Sequence, residues 1–179
     1  MYCLKNYLIK RKKFYDVNHV YKIRTQLLFK KMMKDIDFSY DIYFRIAVIE
    51  EYFRKNDKIW DLYDLMQNKR ISQFSYIPDE MRNHKDSFIK LIESVHKNGI
   101  SNKYPILINE DYLVIDGAHR MACAIYFKIP YVYVYTNKEI NKVIPEDYSK
   151  RWFEVNDLKD CIKYADKVKE KISMGRYNV

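Results

Sequence analysis

Glycine and proline are scarce in this chain, with 3 Gly and 4 Pro in 179 residues. Collagen-like, linker-rich and turn-dense all-β chains need far more of both, so the scarcity argues against those classes and favours long helices. No apolar run approaches the ~20 residues that a membrane-spanning helix needs. The chain reaches Lys5 and then Lys10-Arg11-Lys12-Lys13 before a signal-like apolar stretch forms. Cysteine is limited to Cys3, Cys123 and Cys161, an odd number without a CxxC pair. That pattern argues against a disulfide framework or a zinc knuckle, and the expectation is a reduced, cytoplasmic chain.

Hydrophobic residues are 48% and charged residues 32%, a composition that folds. The length suits one core of ordinary size with an appendage, not two large domains. Charge is placed unevenly. Residues 1–34 hold ten Lys/Arg against the single acid Asp16, a net of +9, which is the formal charge of the whole chain. Tyr2, Tyr7, Phe14, Tyr15, Tyr21 and Phe29 interleave these bases. Such a segment suits a polyanion, whether nucleic acid or an anionic membrane surface, or else forms a solvated face with snorkelling lysines.

The first 70 residues read as helices. Ile42, Ile46, Ile49 and Phe53 predict a helix over about 41–55, and Ile59, Leu62, Tyr63 and Met66 a second one to about residue 70. Phe88, Leu91, Ile92 and Val95 predict a third, with Asn83 as its cap and Gly99 as its stop. Tyr104–Asn109 and Tyr112–Ile115, separated by Glu110-Asp111, read as a hairpin. A helix over His119–Phe127 and a strand over Tyr131–Tyr135 follow. Pro145 to Phe153 reads as a connector whose Trp152-Phe153 plugs a core gap. Leu158, Cys161, Ile162, Ala165, Val168 and Ile172 predict a closing helix that ends at Gly175. The fold class is therefore α+β, a small mixed sheet flanked by N-terminal and C-terminal helices. It divides into a helical region with the basic arm (1–70), a central core (71–140) and a helical tail packed on that core (141–179).

Gly99 and Gly175 are helix stops, but Gly117 sits between a strand and a helix. A strand–Gly–helix turn presents backbone N–H groups and the positive end of the helix dipole, a setting for anions. His119 and Arg120 open that helix, both donors, and Arg takes phosphate bidentately. Asp116 stands at the rim, where a carboxylate holds Mg²⁺ or accepts from a substrate hydroxyl. The structural alternative is that Asp116 caps the helix and His119 packs on the sheet. A further feature comes from periodicity: Ile59, Tyr63, Met66 and Arg70 continue one face, with Gln67 beside them. An inward face that ends in Gln and Arg suggests a polar target, so Arg70 is a candidate to reach the phosphate site. The alternative is that Arg70 complements its own helix dipole.

The stretch from about Pro78 to Tyr135, roughly a third of the chain, resembles the ParB/sulfiredoxin superfamily. The matching words are Leu91-Ile92-Glu93-Ser94-Val95 with Asn98-Gly99, then Pro105-Ile106-Leu107-Ile108, then Ile115-Asp116-Gly117-Ala118-His119-Arg120 followed by Ala122 and Ala124. The resemblance implies a nucleotide phosphate at Gly117, Ala118, His119 and Arg120. Sulfiredoxins carry a reactive Cys where this chain has Ala118, so sulfinic-acid repair is not expected. ParB proper has Arg at the place of His119 and a helix-turn-helix domain after the core. Only 44 residues follow Tyr135 here, and they read as a connector plus one helix. The turn is closest to that of the free-serine kinases, Asp-Gly-His-His-Arg, with Ala118 in place of the first His.

The resemblance also sets the helix that carries Lys90 and Ser94 beside the nucleotide. These residues lie four apart on one side of it. Ser94 would then bond a phosphate or ribose, and Lys90 would neutralise phosphate charge, unless both are merely surface residues. In the serine kinases an acid precedes this helix. Asp79-Glu80 lie in the corresponding connector, and Glu80 is the candidate base. Two functions follow. One is a kinase or related phosphotransferase that uses ATP or another nucleotide with Mg²⁺ on a small hydroxylated metabolite, with Asp116 and Glu80 handling metal or proton. The other is a non-catalytic nucleotide-gated module that contacts DNA or a partner through the basic residues 1–34. Fold alone does not choose between them.

Overall fold

A computed structural model describes residues 20–34, 36–73, 84–136 and 146–177. Its elements, in chain order, are β1 (Val20–Arg24), α1 (Thr25–Met32), α2 (Tyr40–Phe53), α3 (Lys58–Gln73), α4 (His84–Asn98), β2 (Ile106–Ile108), β3 (Val114–Asp116), α5 (Ala118–Tyr126), β4 (Tyr131–Tyr135), α6 (Lys150–Val155) and α7 (Lys159–Ser173). Short 3₁₀ turns, Ile36–Ser39 and Glu146–Tyr148, precede α2 and α6. Helix takes up 65% of the described residues, so the helical bias of a Gly- and Pro-poor sequence is realised around a small mixed sheet. The basic arm before Val20 and the cap position Asn83 lie outside the described residues.

The sheet order is β1-β4-β2-β3. β2 and β3 pair antiparallel as the expected hairpin. Asn109 closes its turn, its side-chain oxygen accepting from the backbone N–H of Asp111 at 3.0 Å and of Leu113 at 2.8 Å. α5 then crosses over and returns the chain as β4, parallel to β2. β1 pairs antiparallel with β4, from Val20 opposite Tyr135 to Arg24 opposite Tyr131.

Two expectations need correction. Val20–Arg24 is a strand, although the first 70 residues read as helical. Its β-forming residues Val20, Tyr21 and Ile23 become a strand because β4, over 100 positions away, supplies the ladder. The connector from Pro145 to Phe153 contains a helix. The Ser149 side chain accepts from the Trp152 N–H at 3.1 Å, an N-cap that starts α6. Phe153 is fully buried there, as a plug for the core should be.

The packing is centred on α2, in which 11 of 14 residues are buried. A helix buried all round must be surrounded, and α5 and α7 lie against it. α5 presents Ala118, Ala122, Cys123 and Ala124, small residues that permit close approach, and packs between α2 and the sheet. α7 brings Cys161, Ala165, Val168 and Ile172. One continuous apolar cluster runs from Leu28 to Tyr177, through all three segments of the chain. No helix of the described residues is long and apolar enough to cross a membrane.

Candidate phosphate site

β3 ends at Asp116, and Gly117 turns the chain into α5 with φ at +94°. That left-handed backbone is strained for any side-chain-bearing residue, and there is a second reason for glycine. A Cβ at this position would lie 2.8 Å from Arg120 Nη2. The Arg120 guanidinium therefore folds back over the glycine. Its Nη2 donates to the Pro105 carbonyl at 3.2 Å and pairs with Asp116 Oδ2 at 3.5 Å. The two charged residues clasp the turn from both sides. The N-cap of α5 is Gly117, which has no side chain of its own to cap the helix, so the first turn of α5 opens directly from the glycine.

His119 projects from the first turn of α5 into an aromatic and polar corner. The Phe88 ring lies 4.4 Å away, edge to face. His119 Nε2 is 2.7 Å from the Tyr63 hydroxyl, and Gln67 Nε2 donates to the same hydroxyl at 2.9 Å. Burial holds the His119 pKa well below the usual 6.5, and Arg45, Arg70 and Arg120 push it in the same direction. The imidazole is thus neutral at pH 7. His84, at the start of α4, is lowered for the same first reason.

Behind His119 lies a buried ion cluster. Asp41 and Arg45 sit one turn apart on α2, and Arg45 pairs with Asp41 Oδ1. Arg70, from the end of α3, pairs with the same oxygen. Arg70 also reaches Asp147 Oδ2 at 3.0 Å and the Asp147 carbonyl at 2.8 Å. Its guanidinium stacks over Tyr148 at 5.4 Å and Trp152 at 5.1 Å. Burial alone would lower the Arg70 pKa, but Asp41 and Asp147 outweigh it, so Arg70 stays a cation. Asp41 is 0% exposed and Arg45 is 3%. Among the described residues, Asp41 Oδ2, Arg45 Nε, His84 Nε2 and Arg120 Nε are buried without a hydrogen-bond partner. A buried polar atom left without a partner costs about 1–3 kcal/mol.

The fold brings Asp116, Gly117, Ala118, His119, Arg120 and, through the ion cluster, Arg70 to one corner. Arg70 does point inward, but Asp41 and Asp147 hold it, so it reaches the turn through the field it exerts on His119. Lys90 and Ser94 are exposed, on the side of α4 opposite the buried Phe88–Ile92–Val95 stripe that faces the site. Glu80 lies outside the described residues. Cys123 is fully buried and its thiol is pushed up to about 12, which removes it from nucleophilic chemistry.

Sequence reasoning missed Asp41, Arg45, His84, Asp147 and Tyr148. A usable signal existed for the first two: an Asp and an Arg four apart within the apolar stretch Tyr40–Ile49.

No group of three or more His, Cys, Asp or Glu suited to a metal occurs among the described residues. Mg²⁺ does not need one, because it commonly takes one or two carboxylates together with substrate phosphates. Asp116 at the rim of the turn fits that mode. Comparison of the chain with family models, with curated proteins and with solved structures found no match.

Proposed function

We propose that this chain binds a nucleotide through its phosphates at the Gly117–Arg120 turn and transfers a phosphoryl group to a small hydroxylated metabolite. This is the chemistry of the kinase-type members of the ParB/sulfiredoxin superfamily that the turn resembles. The observation that carries the reading is the strand–Gly117–helix turn that opens α5, bracketed by Arg120 and by His119, with Arg45 and Arg70 buried behind it. A helix N-terminus with arginines around it favours a phosphate by geometry and by charge. Asp41, Asp116 and Asp147 pair with the three arginines, so the direction of the hydrogen bonds adds to the charge in orienting a phosphate.

In this reading the α5 amides and Arg120 orient the phosphates, and His119 donates to a phosphate oxygen. Asp116 accepts the proton of the attacking hydroxyl or holds Mg²⁺, with Glu80 as the other candidate base. The hydroxyl oxygen forms its bond to the terminal phosphorus as the bridging P–O bond breaks, and the nucleotide diphosphate leaves. Mg²⁺, if held by Asp116 together with the phosphates, would supply charge neutralisation. The thiol chemistry of sulfiredoxins is absent from the reading, since Ala118 stands at the cysteine position and Cys123 is inert.

Asp116→Asn tests the catalytic half. With Mg²⁺, ATP and a pool of hydroxylated metabolites, phosphoryl transfer should fall on the order of a hundredfold or more. Stability should change by no more than about 1 kcal/mol, because Asp116 is partly exposed. An Asn variant with undiminished turnover would show that Asp116 only shapes the turn. The second reading, a nucleotide-gated binding module, is favoured by the +9 charge of residues 1–34. Nucleotide-dependent retention of DNA without any phosphorylated product in the same assay would select it.

A further inference from the structure

The hydroxyl of Tyr63 lies 2.7 Å from Nε2 of His119. Tyr63 is fully buried, in an aromatic wall with Trp60 at 5.6 Å and Phe88 at 5.5 Å, so its ring has one position. Its hydroxyl has two partners, Gln67 Nε2 at 2.9 Å and His119 Nε2 at 2.7 Å. An amide nitrogen only donates, so the bond from Gln67 uses an acceptor lone pair of the hydroxyl. The single hydroxyl hydrogen then has one acceptor within reach, His119 Nε2. A ring nitrogen that accepts carries no proton, so a neutral His119 keeps its hydrogen on Nδ1. Burial also raises the Tyr63 phenol above its usual value, which keeps that hydrogen in place at pH 7.

We propose that Tyr63 and Gln67 are positioning residues that hold His119 as the Nδ1–H tautomer, so that it meets the phosphate of the ligand as a neutral, directional donor. The proposal rests on the phosphate reading of the turn. Nδ1 adjoins Cγ and so lies on the backbone side of the ring, while Nε2 points to Tyr63. Among the described residues no hydrogen bond reaches Nδ1, so its hydrogen is available to a ligand oxygen. The charged and titratable groups that face His119 agree with this assignment. Arg45 from α2, Arg70 from α3, His84 from α4 and Arg120 from α5 all oppose a second proton on the ring. The acids of the corner, Asp41, Asp116 and Asp147, are each paired with one of those arginines.

The test is a long-range ¹H–¹⁵N NMR spectrum of the full chain with ¹⁵N-labelled histidine, at pH 7. Wild type should show His119 with a protonated Nδ1 and an unprotonated, hydrogen-bonded Nε2. Tyr63→Phe removes the donor and should shift the ring towards Nε2–H or a mixture. Gln67→Leu leaves the aromatic wall intact and should loosen the assignment less. A wild-type His119 that is Nε2–H, or doubly protonated, overturns the proposal and leaves the phosphate reading standing. Sulfate, whose charge is constant from about pH 5 to 8, is the ligand probe. Tyr63→Phe should weaken sulfate by roughly 2–10-fold, the loss of one well-oriented hydrogen bond. Equal sulfate affinity in wild type and Tyr63→Phe would overturn the positioning role. A wild type that binds neither sulfate nor ATP would instead overturn the phosphate reading and the ligand half of this proposal with it.

Discussion

Helix α2 is buried along most of its length, yet its buried side chains meet two different settings. Asp41 and Arg45, both almost fully enclosed, enter an ion cluster with Arg70 and Asp147. Ile42, Phe44, Ile46, Val48 and Ile49, each 0% exposed, go instead into the apolar core shared with α5 and α7. The apolar set follows the ordinary driving force, about 25 cal/mol per Å² of apolar surface removed from water. The polar pair does not, because taking paired ions out of water is at best near neutral for stability. The corner that is poor for stability is the one next to the Gly117 turn.

Cutting into both sets should break this comparison apart, and the largest effect is expected at Asp41. Asp41→Ala leaves Arg45 and Arg70 buried with no shared carboxylate and should cost about 3–5 kcal/mol in urea unfolding. Ile46→Ala, a turn away, should cost about 2–5 kcal/mol by cavity formation while nucleotide affinity stays as in wild type. If Asp41→Ala costs less than about 1 kcal/mol, the polar pair is solvated and the contrast is lost.

The division between what was legible and what was not follows the range of the interactions. The β2–β3 hairpin, the Gly117 turn and α5 were legible because their signals are local: Pro105–Ile108, the break at Glu110-Asp111, and Asp116-Gly117 before His119-Arg120. The helices α2, α3, α4 and α7 were legible from apolar spacing. β1 was not, since Val20–Arg24 becomes a strand only by pairing with Tyr131–Tyr135. α6 was hidden by its short length and by a cap, Ser149, that looks like any loop serine. At the site, the inward turn of Arg70 was legible from one helical face. Its partners were not: Asp41 sits at the head of an apolar helix, and Asp147 in what read as a connector. Periodicity assigns a face to a residue, but it does not say which charged residue of another element shares that face.

The polar corner should also reveal itself through pH, with a smaller effect. His119 and His84 have pKa values below those of the unfolded chain, so the unfolded state binds more protons in the acid range. The stability they permit is complete above the unfolded value of about 6.5 and is lost as pH falls below it. His119 should contribute a slope of up to about 1.4 kcal/mol per pH unit there. Thermal unfolding followed from pH 7.5 to pH 5 should show the loss, and His119→Gln should flatten it. A wild-type melting temperature that does not fall over this range would mean that His119 is exposed and free to protonate.

The central claim is that the turn from Gly117 to Arg120 binds phosphate, and calorimetric titration tests it most directly. ATP, ADP and CTP, each with Mg²⁺, are titrated into wild type and into the His119→Ala, Arg120→Ala double variant, with folding of both checked by circular dichroism. The prediction is measurable binding of at least one nucleotide to wild type and a loss of at least about tenfold in the double variant, as two donor contacts to a charged group are removed. Equal affinities for the two proteins, or no heat of binding from wild type with any of the three nucleotides, would contradict it.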